Sequence, residues 1–260
     1  MTQSLHPAAK RGFSASAELY QQVRPDYPAE ISQWLSETLA LPADAHVLDL
    51  GSGTGTGKFI PYLRPLSKHI IAIDPVPEML AQLQQAHPDI HTLEGVSHQL
   101  PLPDHSLNAV FCAQSFHWFA DSATLQELDR VLKPQGYLVL IWNQRDTRID
   151  WVQALADCIA PLEGDTPRYH SGTWREVFAQ QTLFQPYAET TMTQQQHGSV
   201  EQVVSKRLLS TSFIAAMPEQ QQAQLKQQFE QIIQQYTAKS AEEMIDFPYV
   251  THIYVFKKSN

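Results

Sequence analysis

Apolar and polar positions along this chain fall into two alternating rhythms. Short apolar runs at 46–50, 69–73, 90–93, 107–113 and 137–142 have the length of buried strands. Between them lie stretches with helical spacing. Ile31, Leu35 and Leu39 recur through 29–40, with Pro28 placed for a first turn. Val76, Met79, Leu80 and Leu83 share one face of 75–86, and Leu125, Leu128, Val131 and Leu132 one face of 123–132 behind a cap at Asp121–Ser122. Residues 58–66 predict a short or kinked helix, because Pro61 and Pro65 remove ladder hydrogen bonds. Strands alternating with helices predict an α/β architecture on a parallel sheet.

Beyond residue 150 the pattern continues without chemical punctuation. Helices are predicted at 151–160, 172–180 and 199–209, and strands at 184–192 and 249–256 that can pair as an antiparallel edge. The stretch 220–238 is glutamine-rich, yet Leu225, Phe229, Ile232, Ile233 and Tyr236 keep helical spacing, which predicts an amphipathic helix with a solvated polar face.

The first strand runs directly into Gly51-Ser52-Gly53-Thr54-Gly55-Thr56-Gly57. Glycines at such a junction let the backbone approach a ligand closely, and a helix starting just beyond would add free N–H groups and partial positive charge. The second strand ends on Asp74, placed to accept the hydroxyls of a ribose. A dinucleotide fingerprint, G-x-G-x-x-G, fails in both registers, at Thr56 from Gly51 and at Lys58 from Gly53. A P-loop fails at Ser52 and at Phe59. What remains is Asp49-Leu50-Gly51-Ser52-Gly53-Thr54-Gly55, a D-x-G-x-G-x-G pattern.

That pattern, followed in order by Asp74, resembles motif I of the class I methyltransferases that use S-adenosylmethionine. The resemblance implies a Rossmann-like, doubly wound, mostly parallel seven-stranded sheet with an antiparallel edge strand and helices capping the site. It implies S-adenosylmethionine as cofactor and S-adenosylhomocysteine as product. Asp49, Gly51, Ser52, Gly53 and Gly55 would hold the amino-acid end, and Asp74, with Pro75 and Met79 after it, the ribose.

Further strings carry the same resemblance. Tyr20-x-x-x-Arg24-Pro25-x-Tyr27-Pro28 resembles an N-terminal signature of a subgroup that includes trans-aconitate methyltransferase-like enzymes. There the segment folds over the cofactor, so Tyr20 and Arg24 would line the site, Arg24 being suited to a carboxylate. The plain alternative is a helix lead-in with a solvated arginine. Gly95-Val96-Ser97-His98-Gln99-Leu100-Pro101 resembles the adenine-binding turn, with Ser97 where alanine is usual and His98 where glutamate is. Val96 and Ser97 would then contact the base through the turn backbone. Gln114-Ser115-Phe116-His117-Trp118-Phe119, at the carboxyl end of the fourth strand, resembles the subgroup's Phe-His-Trp-Phe element, with Ala120 intervening before Asp121. Ligands of open parallel sheets sit at that end. Gln114 is thus placed near the cofactor, and His117 and Trp118 near donor or substrate, with aromatic packing as the plain alternative. Trp142, at the end of the fifth strand, is a substrate-edge candidate or a core residue. Leu-Lys-Pro-x-Gly-x-Leu at 132–138 resembles a mainly structural motif of the family.

Composition narrows the picture. The chain has 260 residues, 43% hydrophobic, enough for a full core. A formal net charge of −9 and no basic block disfavour nucleic acid. No run of about 18 apolar residues offers a membrane span. Cys112 and Cys158 make no metal spacing, and no metal-ligand cluster is visible. A cytoplasmic monomer or homodimer acting on a small molecule is expected.

The sequence therefore predicts methyl transfer to oxygen of a carboxylate or hydroxyl, with His117 as the base candidate if a hydroxyl must be deprotonated. Residues 1–28 are expected to be a lid, 29–145 the cofactor-binding core, and 146–260 a part that completes the sheet and carries cap helices. Two alternatives stand beside this: an NAD-dependent oxidoreductase, and a non-catalytic protein that binds S-adenosylmethionine.

Overall fold

The computed structural model describes residues 23–55 and 57–259. Seven strands form one sheet: β1 His46–Leu50, β2 His69–Asp74, β3 His91–Glu94, β4 Leu107–Ala113, β5 Leu132–Arg145, β6 Phe184–Ser199 and β7 Met244–Lys258. Their order is β3-β2-β1-β4-β5-β7-β6. The pairs β3–β2, β2–β1, β1–β4 and β4–β5 are parallel, and the antiparallel strands lie at the edge. Strand order reverses between β1 and β4, the switch point where open α/β sheets bind ligands.

The parallel strands read as continuous apolar runs because both faces are covered. Alternate residues go to different cores. Val47, Ala72, Phe111, Val139 and Ile141 pack with Ile31, Leu35 and Leu39 of helix α1 (Ile31–Leu39) and with Ile60 and Leu63 of helix α2 (Ile60–Leu63). Leu83 of helix α3 (Pro77–Ala86) joins the same core. Leu48, Leu50, Ile73, Val110, Cys112 and Leu140 instead meet Leu125, Leu128 and Val131 of helix α4 (Ser122–Val131). Each fully buried leucine contributes roughly 1.5–3 kcal/mol relative to exposure. The cap of α4 forms as predicted, with Asp121 Oδ1 accepting Thr124 N–H at 2.7 Å.

The chain divides into two compact units, and the division does not follow linear segments. One holds Tyr27–Trp142, Pro167–Met192 and Thr251–Asn260; the other holds Met1–Asp26, Asn143–Thr166 and Thr193–Val250. Within the second, helix α5 (Asp150–Ile159), a π-helical turn Glu201–Lys206, short helices α6 (Arg207–Leu209) and α7 (Ser212–Ala215), and helix α8 (Glu219–Thr237) surround a third core. That core contains Val152, Leu155, Val204, Leu208, Phe229, Ile233 and Phe247. The glutamine-rich stretch is thus the helix its apolar spacing predicted. The stretch predicted as a helix at 172–180 is a 3-10 turn at Thr173–Phe178. Strand β6 runs past its predicted end through 193–199, where few apolar residues mark the extension, and β7 begins at Met244, ahead of its predicted start at Tyr249.

Candidate functional site

The end of β1 and the end of β2 are tied together by backbone. Gly51 N–H donates to Ile73 O at 2.8 Å, and its φ of +73° is a region that side chains rarely adopt. A Cβ at Gly51 would also lie 2.5 Å from Ser115 Cβ. Ser52–Gly55 then forms a 3-10 turn, in which Ser52 is buried and its hydroxyl lies 3.5 Å from Ile73 O. The next helix, α2, has four residues and begins only at Ile60. The helix is as short as its prolines predicted, with Pro61 in its first turn and Pro65 just beyond its end, and so short a helix adds little dipole behind the loop. The electrostatics of this place come from carboxylates instead.

Asp74 is 3% exposed and receives two amides, Gly53 N–H on Oδ2 at 3.0 Å and Val76 N–H on Oδ1 at 2.9 Å. A Cβ at Gly53 would stand 2.8 Å from Asp74 Cγ and 2.4 Å from Met79 Cβ. Only glycine allows this approach of loop to acid, with buried Met79 as its floor. Asp49 is 2% exposed. Burial, then the Asp74 charge, pushes its carboxyl up to about 8. Burial pushes Asp74 up to about 6, against the two amides that favour its ionised form. Each carboxylate oxygen of Asp74 keeps a second lone pair for a hydroxyl. Pro75, half-buried, follows directly.

The end of β4 closes the other side. Ser115, 1% exposed, donates from Oγ to Leu50 O at 2.7 Å, fastening β4 to the end of β1. Gln114 sits at φ +64° with its N–H on Ile141 O at 2.8 Å, a left-handed residue where the chain leaves the sheet. A 3-10 turn, Phe116–Trp118, follows. His117 Nδ1 accepts the Trp142 indole N–H at 3.0 Å. Because an indole nitrogen only donates, that Nδ1 carries a lone pair and Nε2 carries the proton. Burial, then the positive charges of Arg168 and His170, pushes His117 down to about 3. Trp118 is half-buried, its ring 5.2 Å from that of His117.

Several expectations change. Trp142 is fully buried, 4.6 Å from the Trp174 ring and 5.0 Å from Tyr169, so it positions His117 and does not line a substrate edge. His117 accepts at Nδ1 and donates at Nε2, and burial holds its ring neutral, which bears on the base role offered for it. The Ser97 hydroxyl is buried against Thr124 Oγ1 at 2.8 Å, and the turn is closed by Gln99 N–H on Val96 O at 3.0 Å. Arg24 lies in the second compact unit, where Nη2 donates to Ser210 O at 2.9 Å. Tyr20 lies outside the described residues. Asp49, Gly51, Ser52, Gly53, Gly55, Asp74 and Met79 come together at one place, with Gln114 joined through Ser115. Ser115 was not foreseen; its one sequence signal is a hydroxyl at a strand end beside the glycine loop.

Residues 48–140 match the model of a methyltransferase domain family. The chain is 30% identical to an uncharacterized methyltransferase of Schizosaccharomyces pombe over 95% of its own length and 97% of that protein's. A second S. pombe methyltransferase-like protein is 37% identical over 167 residues, 64% of each chain. A malonyl-[acyl-carrier protein] O-methyltransferase of Halorhodospira halophila is 36% identical over 168 residues, 62% of this chain and 55% of that one. Among solved structures, a protein of Anaeromyxobacter dehalogenans described as a type II methyltransferase superposes with a TM-score of 0.66 at 21% identity, covering 90% of this chain and 97% of that one. The chain belongs to the S-adenosylmethionine-dependent methyltransferases of class I, and its sheet has their Rossmann-like order.

The two raised carboxyls set a pH dependence. An acid whose folded value lies above its unfolded one, near 3.8, stabilises the fold below that value and progressively less as pH rises. Asp74 completes this loss near pH 6 and Asp49 near pH 8. The melting temperature of the ligand-free protein should therefore fall from about pH 4 to about pH 8, with the part above pH 6 due to Asp49 alone, and Asp49→Asn should flatten that upper part. An unchanged slope in Asp49→Asn, followed by differential scanning fluorimetry, would contradict the assignment.

Proposed function

We propose that this chain transfers the methyl group of S-adenosylmethionine to a carboxylate oxygen of a small-molecule acceptor. The observation that carries the reading is the buried Asp49–Asp74 pair at the ends of β1 and β2. Two buried carboxyls in contact by charge suit a ligand that is cationic and bears a ribose. S-Adenosylmethionine has an ammonium, a sulfonium and two ribose hydroxyls, whereas the pyrophosphate of NAD would add negative charge beside them. In this reading Asp74 holds the ribose, Asp49 and the loop from Gly51 to Gly55 hold the amino-acid end, and Val96 and Ser97 offer backbone to the adenine. Gln114 flanks the donor.

When bound, the cofactor supplies an activated methyl on a positively charged sulfur. The protein's task is then alignment and exclusion of water. His117 presents Nε2–H, fixed by Trp142, as a hydrogen-bond donor that orients an acceptor oxygen, with Trp118 beside it. A carboxylate acceptor needs no base because it is already ionised, and the depressed His117 is consistent with that choice over a hydroxyl. The likeness to malonyl-[acyl-carrier protein] O-methyltransferases supports oxygen as the acceptor atom. We assign cofactor binding to residues 29–145, with His117 and Trp118 of the same segment on the acceptor side.

Calorimetric titration with S-adenosylmethionine, S-adenosylhomocysteine and NAD should give binding of the two sulfur nucleosides and none of NAD. Asp74→Ala should weaken both by roughly tenfold or more, since hydrogen bonds to a charged group are worth about 1.5–3 kcal/mol each. Binding of NAD alone would sink the proposal. His117→Gln, which keeps a side-chain donor, should retain more turnover than His117→Ala. Neither change should remove an inflection near pH 6.5 from the rate profile. Loss of such an inflection in His117→Gln would restore the histidine as a base.

A further inference from the structure

The turn after β3 is held at both ends by groups outside it. At its start Gly95 N–H donates to Asp74 O at 3.3 Å, so the turn begins fastened to the end of β2. A Cβ at Gly95 would lie 3.0 Å from Pro101 Cδ, which brings the two ends of the turn together. Its own backbone bonds are few: Gln99 N–H on Val96 O at 3.0 Å and Leu102 N–H on Leu100 O at 2.8 Å. Pro101 and Pro103 supply no amide. A segment with so few bonds of its own keeps one shape only where its surroundings fix it.

One face of α4 does so, within the same compact unit. Leu125, Leu128 and Val131 bury the neighbouring face in the core. That sets Thr124, Glu127 and Arg130, at i, i+3 and i+6, in a line along the turn. Thr124 Oγ1 lies 2.8 Å from Ser97 Oγ. Glu127 Oε1 accepts Leu100 N–H at 2.6 Å. Arg130 donates to Leu100 O at 3.2 Å, to Leu102 O at 2.9 Å and to Asp104 Oδ1 at 2.5 Å. Its Nε and Nη2 also donate to the two oxygens of Glu127, at 2.8 and 2.7 Å, a fork that fixes both side chains. The Arg130 hydrogen bonds, against partial burial, hold the Glu127 carboxyl below its usual range. Both main-chain polar groups of Leu100 are thus taken by one ion pair.

We propose that Glu127 and Arg130 are positioning residues for the cofactor's base, setting the backbone of residues 96–100 to read the adenine edge. This rests on the reading that Val96 and Ser97 meet adenine. Adenine offers a donor at its 6-amino group and an acceptor at N1, so a C=O and an N–H must both be aimed. Hypoxanthine reverses that pair, with an oxygen at C6 and an N–H at N1. A fixed turn rejects it because polar groups would be left unpaired, whereas a loosened turn rearranges to meet either base. The ion pair acts on selectivity more than on stability, since Arg130 is 33% exposed and pairs of that kind add little to the fold.

The test titrates S-adenosylhomocysteine and its inosine counterpart into the full chain by calorimetry, with melting temperatures followed in parallel. The natural chain should prefer the adenine compound by roughly tenfold or more. Glu127→Ala and Arg130→Ala should weaken S-adenosylhomocysteine and erase most of that preference, with melting temperatures close to the natural one. Arg130→Lys keeps the charge and loses the fork, so it should behave like Arg130→Ala. Asp74→Ala should weaken both compounds alike and leave the preference in place. Should an alanine variant fail to fold, Glu127→Gln decides by the same ratio: it keeps an acceptor for Leu100 N–H and loses the charge that holds Arg130. An undiminished preference in the folded variants makes the pair merely structural and overturns the proposal, with the adenine reading intact. Equal binding of the two compounds by the natural chain overturns the adenine reading, and the proposal with it.

Discussion

The cofactor half of this molecule depends on two carboxyls buried at adjacent strand ends. Asp49 and Asp74 are each under 4% exposed, and such groups keep their charge only where something repays lost hydration. The loop amides of Gly53 and Val76 do so for Asp74 in part. Asp49, pushed up to about 8, avoids the cost by holding its proton. The glycines follow from this: Gly53 lets the loop reach the acid, and Gly51 turns the chain where Ser115 fills the space a side chain would need. Ser115 then binds the strand end that carries the loop to the one that carries His117.

A second constraint is the tautomer of His117. An indole N–H can only donate, so burying Trp142 against the ring decides which histidine nitrogen faces outward with a proton. The aromatic cluster of Trp142, Tyr169 and Trp174 thus acts on chemistry through geometry. An ionised acceptor would suit a donor at that place.

Much of this was legible in the chain. The parallel strands are buried on both faces, so Val47 to Leu50 and Ala109 to Ala113 stand out as apolar runs, and the loop that leaves β1 declares itself by its glycines. The order of Asp49, Gly51, Gly53 and Asp74 carried the ligand class because chain order and spatial order coincide at a parallel sheet's switch point. What stayed hidden depends on burial that local pattern does not report. His117 reads as a base until the Trp142 contact is known, and Trp142 reads equally as pocket edge or core. The extra length of β6 is written in Thr and Gln, which carry little apolar signal, and the short α2 reflects prolines whose exact effect on helix length only the fold decides.

The most direct test of the charge argument is the proton balance of cofactor binding. Titrating S-adenosylmethionine into the protein at about pH 6.5, below the usual range of its amino group, in buffers of different ionisation enthalpy gives the number of protons exchanged. If a cationic ligand ionises the buried pair, binding releases close to one proton. Asp49→Asn abolishes most of that release. Binding with no release, or with proton uptake, would contradict the account, since the carboxyls would then not be what the cofactor's charge answers.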